Sequence, residues 1–326
     1  MKTFKHFNAY SIDEAVSLLG KYGDKACVIA GGTDLLGKMK DAILPTYPEA
    51  LVNIKTIPDL SYIKEDGGML KIGALTTLGE IAYNNLVREN APALAQAACR
   101  TASPHLRDMG TIAGNICQDI RCWYYRAPKN RFSCLRKKGG RCYAIKGDNR
   151  YHSIFGGSVS AGCMAVHPSD TATALIALNA KIKTSSRTID AGEFFEVKPV
   201  KTTVLKADEI VTEIQLPKPV AGTRSAFLKF AQRRSIDFPI VNCAAAVTIS
   251  GGKVTAAKIC LNAVGVVPYR AVQAEKVIIG GSLNEAIAEE AGMAAVAAAK
   301  PLDHNKYMVA VAKTIVKRCL LACAEA

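Results

Sequence analysis

The chain has 326 residues, 49% of them apolar, and a formal charge of +14 from 42 basic and 28 acidic side chains. That size predicts two or three packed units with ample buried cores. No run of eighteen apolar residues occurs, and the start, Met1-Lys2-Thr3-Phe4-Lys5-His6, lacks the apolar segment of a secretory signal, so a soluble cytoplasmic protein without a membrane span is expected.

Eleven cysteines in such a chain are expected to stay reduced, which makes ligation a better account of them than disulfides. The positive charge admits nucleic acid, acidic proteins or phosphate-bearing cofactors as partners. The excess is local, however. Between Arg121 and Arg150 there are ten basic residues against Asp148 alone, and the same stretch holds a group of cysteines, so the charge suits a bound anion.

In chain order, Ser11 with Glu14 three residues on predicts a capped helix that stops at Gly20. Ala26-Cys27-Val28-Ile29-Ala30 predicts a buried strand entering the turn Gly31-Gly32-Thr33-Asp34, and Leu51 to Ile54 another, giving a small α/β unit over about residues 1–55. A strand is predicted at Lys71–Leu75 and helices at Thr77–Asn84, Ala91–Thr101 and Ser169–Asn179. Phe227–Ala231, Ala244–Ile249 and Val254–Val264 read as strands, the last two joined by the hairpin turn Ser250-Gly251-Gly252-Lys253. Two helices, about Leu283–Ala299 and His304–Cys323, close the chain.

Two turns can serve a phosphate-bearing ligand. In Ala30-Gly31-Gly32-Thr33-Asp34-Leu35-Leu36 the glycines let backbone N–H groups approach a pyrophosphate, although a Gly-Gly pair also simply turns a chain. The GxGxxG order of a Rossmann site is absent. Met109-Gly110-Thr111-Ile112-Ala113-Gly114-Asn115 is a second such turn.

Cys117, Cys122, Cys134, Cys142 and Cys163 follow it without any CxxC knuckle, which favours an iron-sulfur cluster over zinc and leaves one cysteine spare for four places. Cys27, Cys99, Cys243, Cys260, Cys319 and Cys323 sit in apolar surroundings and are expected to be core. Asp170 either bonds ligand hydroxyls or caps the helix that follows it. Lys229 and Arg233 either hold an anionic group or form a solvated charge run.

Taken together, Ala30–Leu35, Gly110–Ile116, Pro168-Ser169-Asp170 and Lys229-x3-Arg233-x3-Asp237 resemble the FAD-binding subunit of the molybdenum hydroxylases, over Phe4 to about Ala322. The resemblance implies an α+β chain: an FAD-binding fold of the vanillyl-alcohol oxidase type over residues 1–217, in two α/β subdomains divided near residue 55, then a C-terminal α+β domain over 218–326. The cysteine-bearing insert, about 117–163, is similar to that of the β subunit of 4-hydroxybenzoyl-CoA reductase. That likeness implies a [4Fe-4S] cluster on Cys122, Cys134, Cys142 and Cys163, with Cys117 belonging to the flavin turn.

It further implies FAD held by the backbone of Ile29 to Leu36 and of Thr111 to Asn115, Ala113 and Gly114 included, with side-chain donors from Thr33 and Asn115. Asp170 is expected at ribityl or ribose hydroxyls and Lys229 near the isoalloxazine. The implied role is electron transfer between an external carrier, ferredoxin or NAD(P), and partner subunits carrying molybdopterin and a [2Fe-2S] centre, without nucleic acid. A free-standing flavin oxidoreductase and a zinc-stabilised nucleic-acid-binding protein are the rival readings.

Overall fold

The computed structural model describes residues 1–157, 162–198 and 201–325. Its first unit is a three-stranded parallel sheet with Ala50–Asn53 between Lys5–Asn8 and Ala26–Ile29. The helix Ile12–Tyr22 buries Ala15 and Leu19, in a core shared with Val52 and Ile54. Ser11 Oγ accepts the Glu14 N–H at 3.1 Å, and the Glu14 carboxylate accepts the Tyr10 N–H at 2.8 Å rather than that of Ser11. The helix passes through Gly20 and stops at Gly23, whose φ of 54° suits a residue without a Cβ.

The second unit is an antiparallel sheet in the order Ile63–Asp66, Met69–Gly73, Val211–Pro217, Lys181–Thr184, Thr188–Asp190. Of these five strands only the second was signalled by sequence. Three of the others are short and charge-bearing, as in Lys181-Ile182-Lys183-Thr184, where alternation over four residues buries only Ile182 and Thr184. The helices Leu78–Tyr83, Pro92–Arg100 and Asp170–Ala177 supply Ile81, Leu94 and Leu175 to the same core as Ile72, Ile182 and Ile214, all fully buried. Asp170–Ala177 is buried at every residue, its three polar side chains, Asp170, Thr171 and Thr173, being hydrogen-bonded to neighbours.

The C-terminal unit is an antiparallel sheet of Thr223–Phe230, Val241–Ser250, Lys253–Asn262 and Tyr269–Arg270. Gly251 and Gly252 both take positive φ, 57° and 75°, as the expected two-residue hairpin turn requires. Strand alternation divides the sheet between two cores. Cys243, Val247, Ile259 and Leu261 face the helices Glu285–Val296 and Tyr307–Glu325, whereas Phe227, Ala244 and Cys260 face back into the core of the second unit.

The cysteine-bearing stretch has little regular structure beyond one-turn helices at Pro128–Asn130, Leu135–Lys137 and Tyr143–Ile145. An antiparallel bridge between Arg121 and Val166 closes its base. Among the described residues no helix is long and apolar enough to cross a membrane.

A Cβ on Gly292 would lie 2.6 Å from the Lys313 carbonyl oxygen, so this glycine sets the approach of the last two helices. Gly292→Ala is expected to lower stability by about 1–2 kcal/mol through overpacking, measured as a lower urea midpoint by circular dichroism.

Candidate functional site

A cavity of about 600 Å³ opens between the three units, a size suited to a large organic cofactor. Its walls come from the segment Cys27–Leu35 with Lys38, the turn around residues 110–118, Pro168 and Asp170, the segment 203–211, and Lys229 with Ile236–Phe238. The two glycine turns meet here. A Cβ on Gly31 would sit 2.0 Å from the Met109 carbonyl oxygen, so only glycine lets the turns touch, and Gly32 takes φ +70°.

The two turns differ in what they offer. Among the described residues, nothing accepts from the N–H groups of Gly32, Thr33, Asp34 and Leu35, which line the cavity as a row of free donors. Leu36 is a correction: its N–H bonds to the Gly32 carbonyl at 2.9 Å, its side chain covers Gly32, and it does not line the cavity.

The second turn is a correction as well. It is the helix Ile112–Ile116 capped by Thr111, and four of its amides are already bonded: Ile112 to the Thr76 carbonyl, Ala113 to that of Ala74, Gly114 to Thr111 Oγ1 and Asn115 to the Thr111 carbonyl, which leaves only the Thr111 N–H without an acceptor among the described residues. Its contribution is small side chains and Asn115, whose Oδ1 accepts from Ser169 and Thr171 at 2.6 Å each, directing the amide NH2 outward.

Asp170 is not the cap of its helix; Ser169 is, accepting the Ala172 N–H at 3.0 Å. Asp170 instead takes Lys229 Nζ at 2.7 Å and Asn242 Nδ2 at 2.6 Å, and both members of the ion pair are 3% exposed. It ties the second unit to the C-terminal sheet at the cavity wall. Arg233 is the solvated alternative, 72% exposed and paired with Asp237. Cys117 lines this cavity, its thiol pushed up to about 12 by burial. Cys27 lines it too, and Cys99 is exposed, so neither is core as expected.

Cys122, Cys134, Cys142 and Cys163 line a second, separate pocket together with Arg136. Among the described residues no three His, Cys, Asp or Glu groups gather closely enough to hold one metal ion, which disfavours a single zinc. The pocket has a volume of about 10 Å³, smaller than a four-iron cube, so a cluster requires its walls to move apart. The charge around the pocket is unbalanced. Arg136 is 1% exposed, and among the described residues none of its three nitrogens has a hydrogen-bond partner; the Asp119 carboxylate lies at 3.9 Å. Lys137 Nζ is likewise buried without a hydrogen-bond partner among the described residues and lies over the Tyr125 ring, 5.4 Å from its centre. Buried cations left so cost several kcal/mol unless an anion joins them. Burial also pushes the thiols of Cys122 and Cys163 up, to about 12 and about 11, so in the absence of a metal they stay protonated.

Asp119, which sequence reasoning passed over, stands between the two pockets. Its Oδ2 accepts from Lys38 Nζ at 3.0 Å and from the Tyr125 hydroxyl at 2.7 Å, and its own N–H donates to Asp34 at 3.0 Å. Arg126 completes the network by pairing with Asp34 at 2.8 Å. Burial by itself would raise the Asp119 carboxyl, but Lys38, Arg126 and Arg136 outweigh it and hold the group down at about 2. The basic block is thus partly internal, with Arg136 and Lys137 buried.

Known proteins match this arrangement. Residues 2–219 match the family described as the FAD binding domain in molybdopterin dehydrogenase, and residues 226–323 the CO dehydrogenase flavoprotein C-terminal domain. The chain therefore belongs to the FAD-binding subunits of the molybdenum hydroxylase family, the flavoprotein components of oxidoreductase complexes. It is 31% identical over 325 residues to the aldehyde oxidoreductase FAD-binding subunit PaoB of Escherichia coli K12, covering 96% of each chain. It is 28% identical to the carbon monoxide dehydrogenase medium chain of Hydrogenophaga pseudoflava, over 98% of this chain and 96% of that one. The solved structure of carbon monoxide dehydrogenase from the same organism superposes with a TM-score of 0.79 over 99% of this chain and 98% of that one, at 28% identity. These names specify flavin or a dehydrogenase, and none specifies a [4Fe-4S] cluster.

Two outcomes follow. Gly31→Ala should weaken FAD binding at least tenfold by flavin fluorescence titration, whereas Gly37→Ala, with nothing within 4 Å of the added Cβ, should leave it unchanged. The depressed Asp119 group contributes stability that is complete above its unfolded value near 3.8 and is lost as pH falls toward 2. Asp119→Asn should cost about 3–5 kcal/mol at pH 7 by leaving cations unpaired, and should flatten the acid limb of a stability-versus-pH curve obtained by urea unfolding.

Proposed function

We propose that this chain is the FAD- and [4Fe-4S]-carrying electron-transfer subunit of a molybdenum hydroxylase-type complex. The observation that carries the cluster is Arg136: a fully buried guanidinium without an acceptor, lining the pocket on which four cysteines converge. An anionic centre bound through four thiolates supplies the missing counter-charge, and the neighbouring cations favour its thiolate ligands. Cys122, Cys134, Cys142 and Cys163 are the ligands in this reading, and Cys117 belongs to the flavin cavity. The likeness to the β subunit of 4-hydroxybenzoyl-CoA reductase supports the same assignment without carrying over its substrate.

Bound FAD would supply one- and two-electron transfer. The free N–H groups of Gly32, Thr33, Asp34 and Leu35 suit its pyrophosphate, with Thr33 and Asn115 adding side-chain donors. Lys229 is fixed by Asp170 at the cavity wall near the isoalloxazine, and Asp170 serves mainly to hold it. Asp119 and its cations set the electrostatic field between the two centres. The division of the chain near Pro217 belongs to the same reading.

Substrate chemistry is assigned to a molybdopterin-bearing large subunit, with a [2Fe-2S] small subunit between. The words "subunit" and "medium chain" in the relatives' names support a multi-subunit complex. Cys142 is the one of the four cysteines that is not fully buried, and Lys129, Arg131, Lys138, Arg141 and Lys146 are exposed on the same stretch. That edge suits an acidic carrier such as a ferredoxin.

Anaerobically purified protein should show flavin and broad iron-sulfur absorbance, and Cys134→Ser should lose the iron while keeping the flavin. A colourless, zinc-loaded preparation sinks the cluster. Turnover of a small organic substrate by the isolated chain would favour the free-standing oxidoreductase.

A further inference from the structure

We propose that His152 sets the reduction potential of the cysteine-bound centre by donating a hydrogen bond from Nε2 to the Cys122 thiolate. The inference rests on the cluster reading above and adds a residue that is not itself a ligand.

The geometry starts from a ring that is 1% exposed, with Nε2 3.3 Å from Cys122 Sγ. The other nitrogen, Nδ1, is buried without any partner. Those two facts choose the tautomer. With the proton on Nδ1, a buried donor would be orphaned and the Nε2 lone pair would face the sulfur. With the proton on Nε2, the donor meets the sulfur and only an acceptor is left over, the less costly arrangement. A thiolate strengthens the preference, because a bond to a charged acceptor is the stronger kind.

The backbone that carries the ring is held from both sides. The His152 N–H donates to the Asn149 carbonyl at 3.1 Å, and its own carbonyl accepts from Asn305 Nδ2 at 2.9 Å. Asn149 is held in turn by the His304 N–H at 2.9 Å. The segment preceding the last helix therefore fixes the backbone at His152 beside the cysteine loop. Backbone N–H groups of Tyr124 and Tyr125 also lie toward the Cys122 sulfur and favour its thiolate form.

An added electron makes a thiolate-bound cluster more negative, and donors on its sulfurs stabilise that state more than the oxidised one. His152 should thus raise the potential. The test is an EPR-monitored redox titration of the full chain carrying His152→Phe or His152→Gln. His152→Phe should lower the cluster midpoint by about tenfold in its reduction equilibrium, ~59 mV for one electron. Iron content and the flavin midpoint should stay unchanged, and His152→Gln, which keeps an N–H donor, should restore most of the shift.

A mutation-free measurement runs beside it: protein labelled with ¹⁵N in histidine only should show a nitrogen coupling to the reduced cluster in pulsed EPR. An unchanged cluster midpoint in His152→Phe at full iron content overturns the proposal. So does the absence of the histidine coupling, which decides the matter should the variant lose its iron. A wild-type chain that binds no iron fails at the earlier step and overturns the cluster reading itself.

Discussion

A single buried carboxylate joins the two halves of the chemistry. Asp119 binds Lys38 from the flavin cavity and Tyr125 from the cysteine loop, while its backbone N–H secures Asp34 beside the free amides. Removing one charge from such a buried network costs more than a surface ion pair contributes, because the cations left behind remain desolvated. The network also fixes distance. The loop that carries Cys122 and Cys134 has almost no regular structure of its own, so its position relative to the flavin cavity is set by side-chain bonds such as these and by the Arg121–Val166 bridge.

The cavity lies where the three units meet, and its polar wall is built from contacts across those units. Asp170 from the second unit is held by Lys229 and Asn242 from the C-terminal sheet, and Thr173 on the same helix donates to Asn242 at 2.9 Å. Asp170, Lys229, Asn242 and Thr173 thus bond one another across the seam, which gives the wall a defined shape, while Asn262 Oδ1 and His167 Nε2 beside them have no partner among the described residues. Arg136 and Lys137 stand apart from that pattern, and the contrast is what gives the cysteine pocket its meaning.

Much of this was legible in the sequence where the signal was local. Ser11, the Gly251-Gly252 turn and the apolar runs of the C-terminal strands each act through near neighbours, and each lies where the pattern placed it. Signals that depend on distant partners were not legible. Nothing in Pro168-Ser169-Asp170 tells which residue caps the helix and which reaches Lys229. The glycines and threonine of residues 109–115 look like a phosphate turn, yet carbonyls of Ala74 and Thr76 occupy two of its amides. Cys117 and Cys122 are five positions apart but open into different cavities, a separation that no spacing rule contains. Asp119 lies between them, and the first of its partners, Lys38, is 81 residues away.

The sheet shared by two cores bears on how such a chain can be cut and rejoined. The gap between the two matched family regions, residues 220–225, is a natural joint by sequence, yet Phe227, Ala244 and Cys260 beyond it complete the interior of the preceding unit. A recombinant that swapped in the C-terminal piece of a relative at that joint would bring a foreign half of a hydrophobic interface and a foreign partner for Asp170. Exchange there succeeds only where both sides of the contact have drifted together, so the joint in the sequence is not a seam in the molecule.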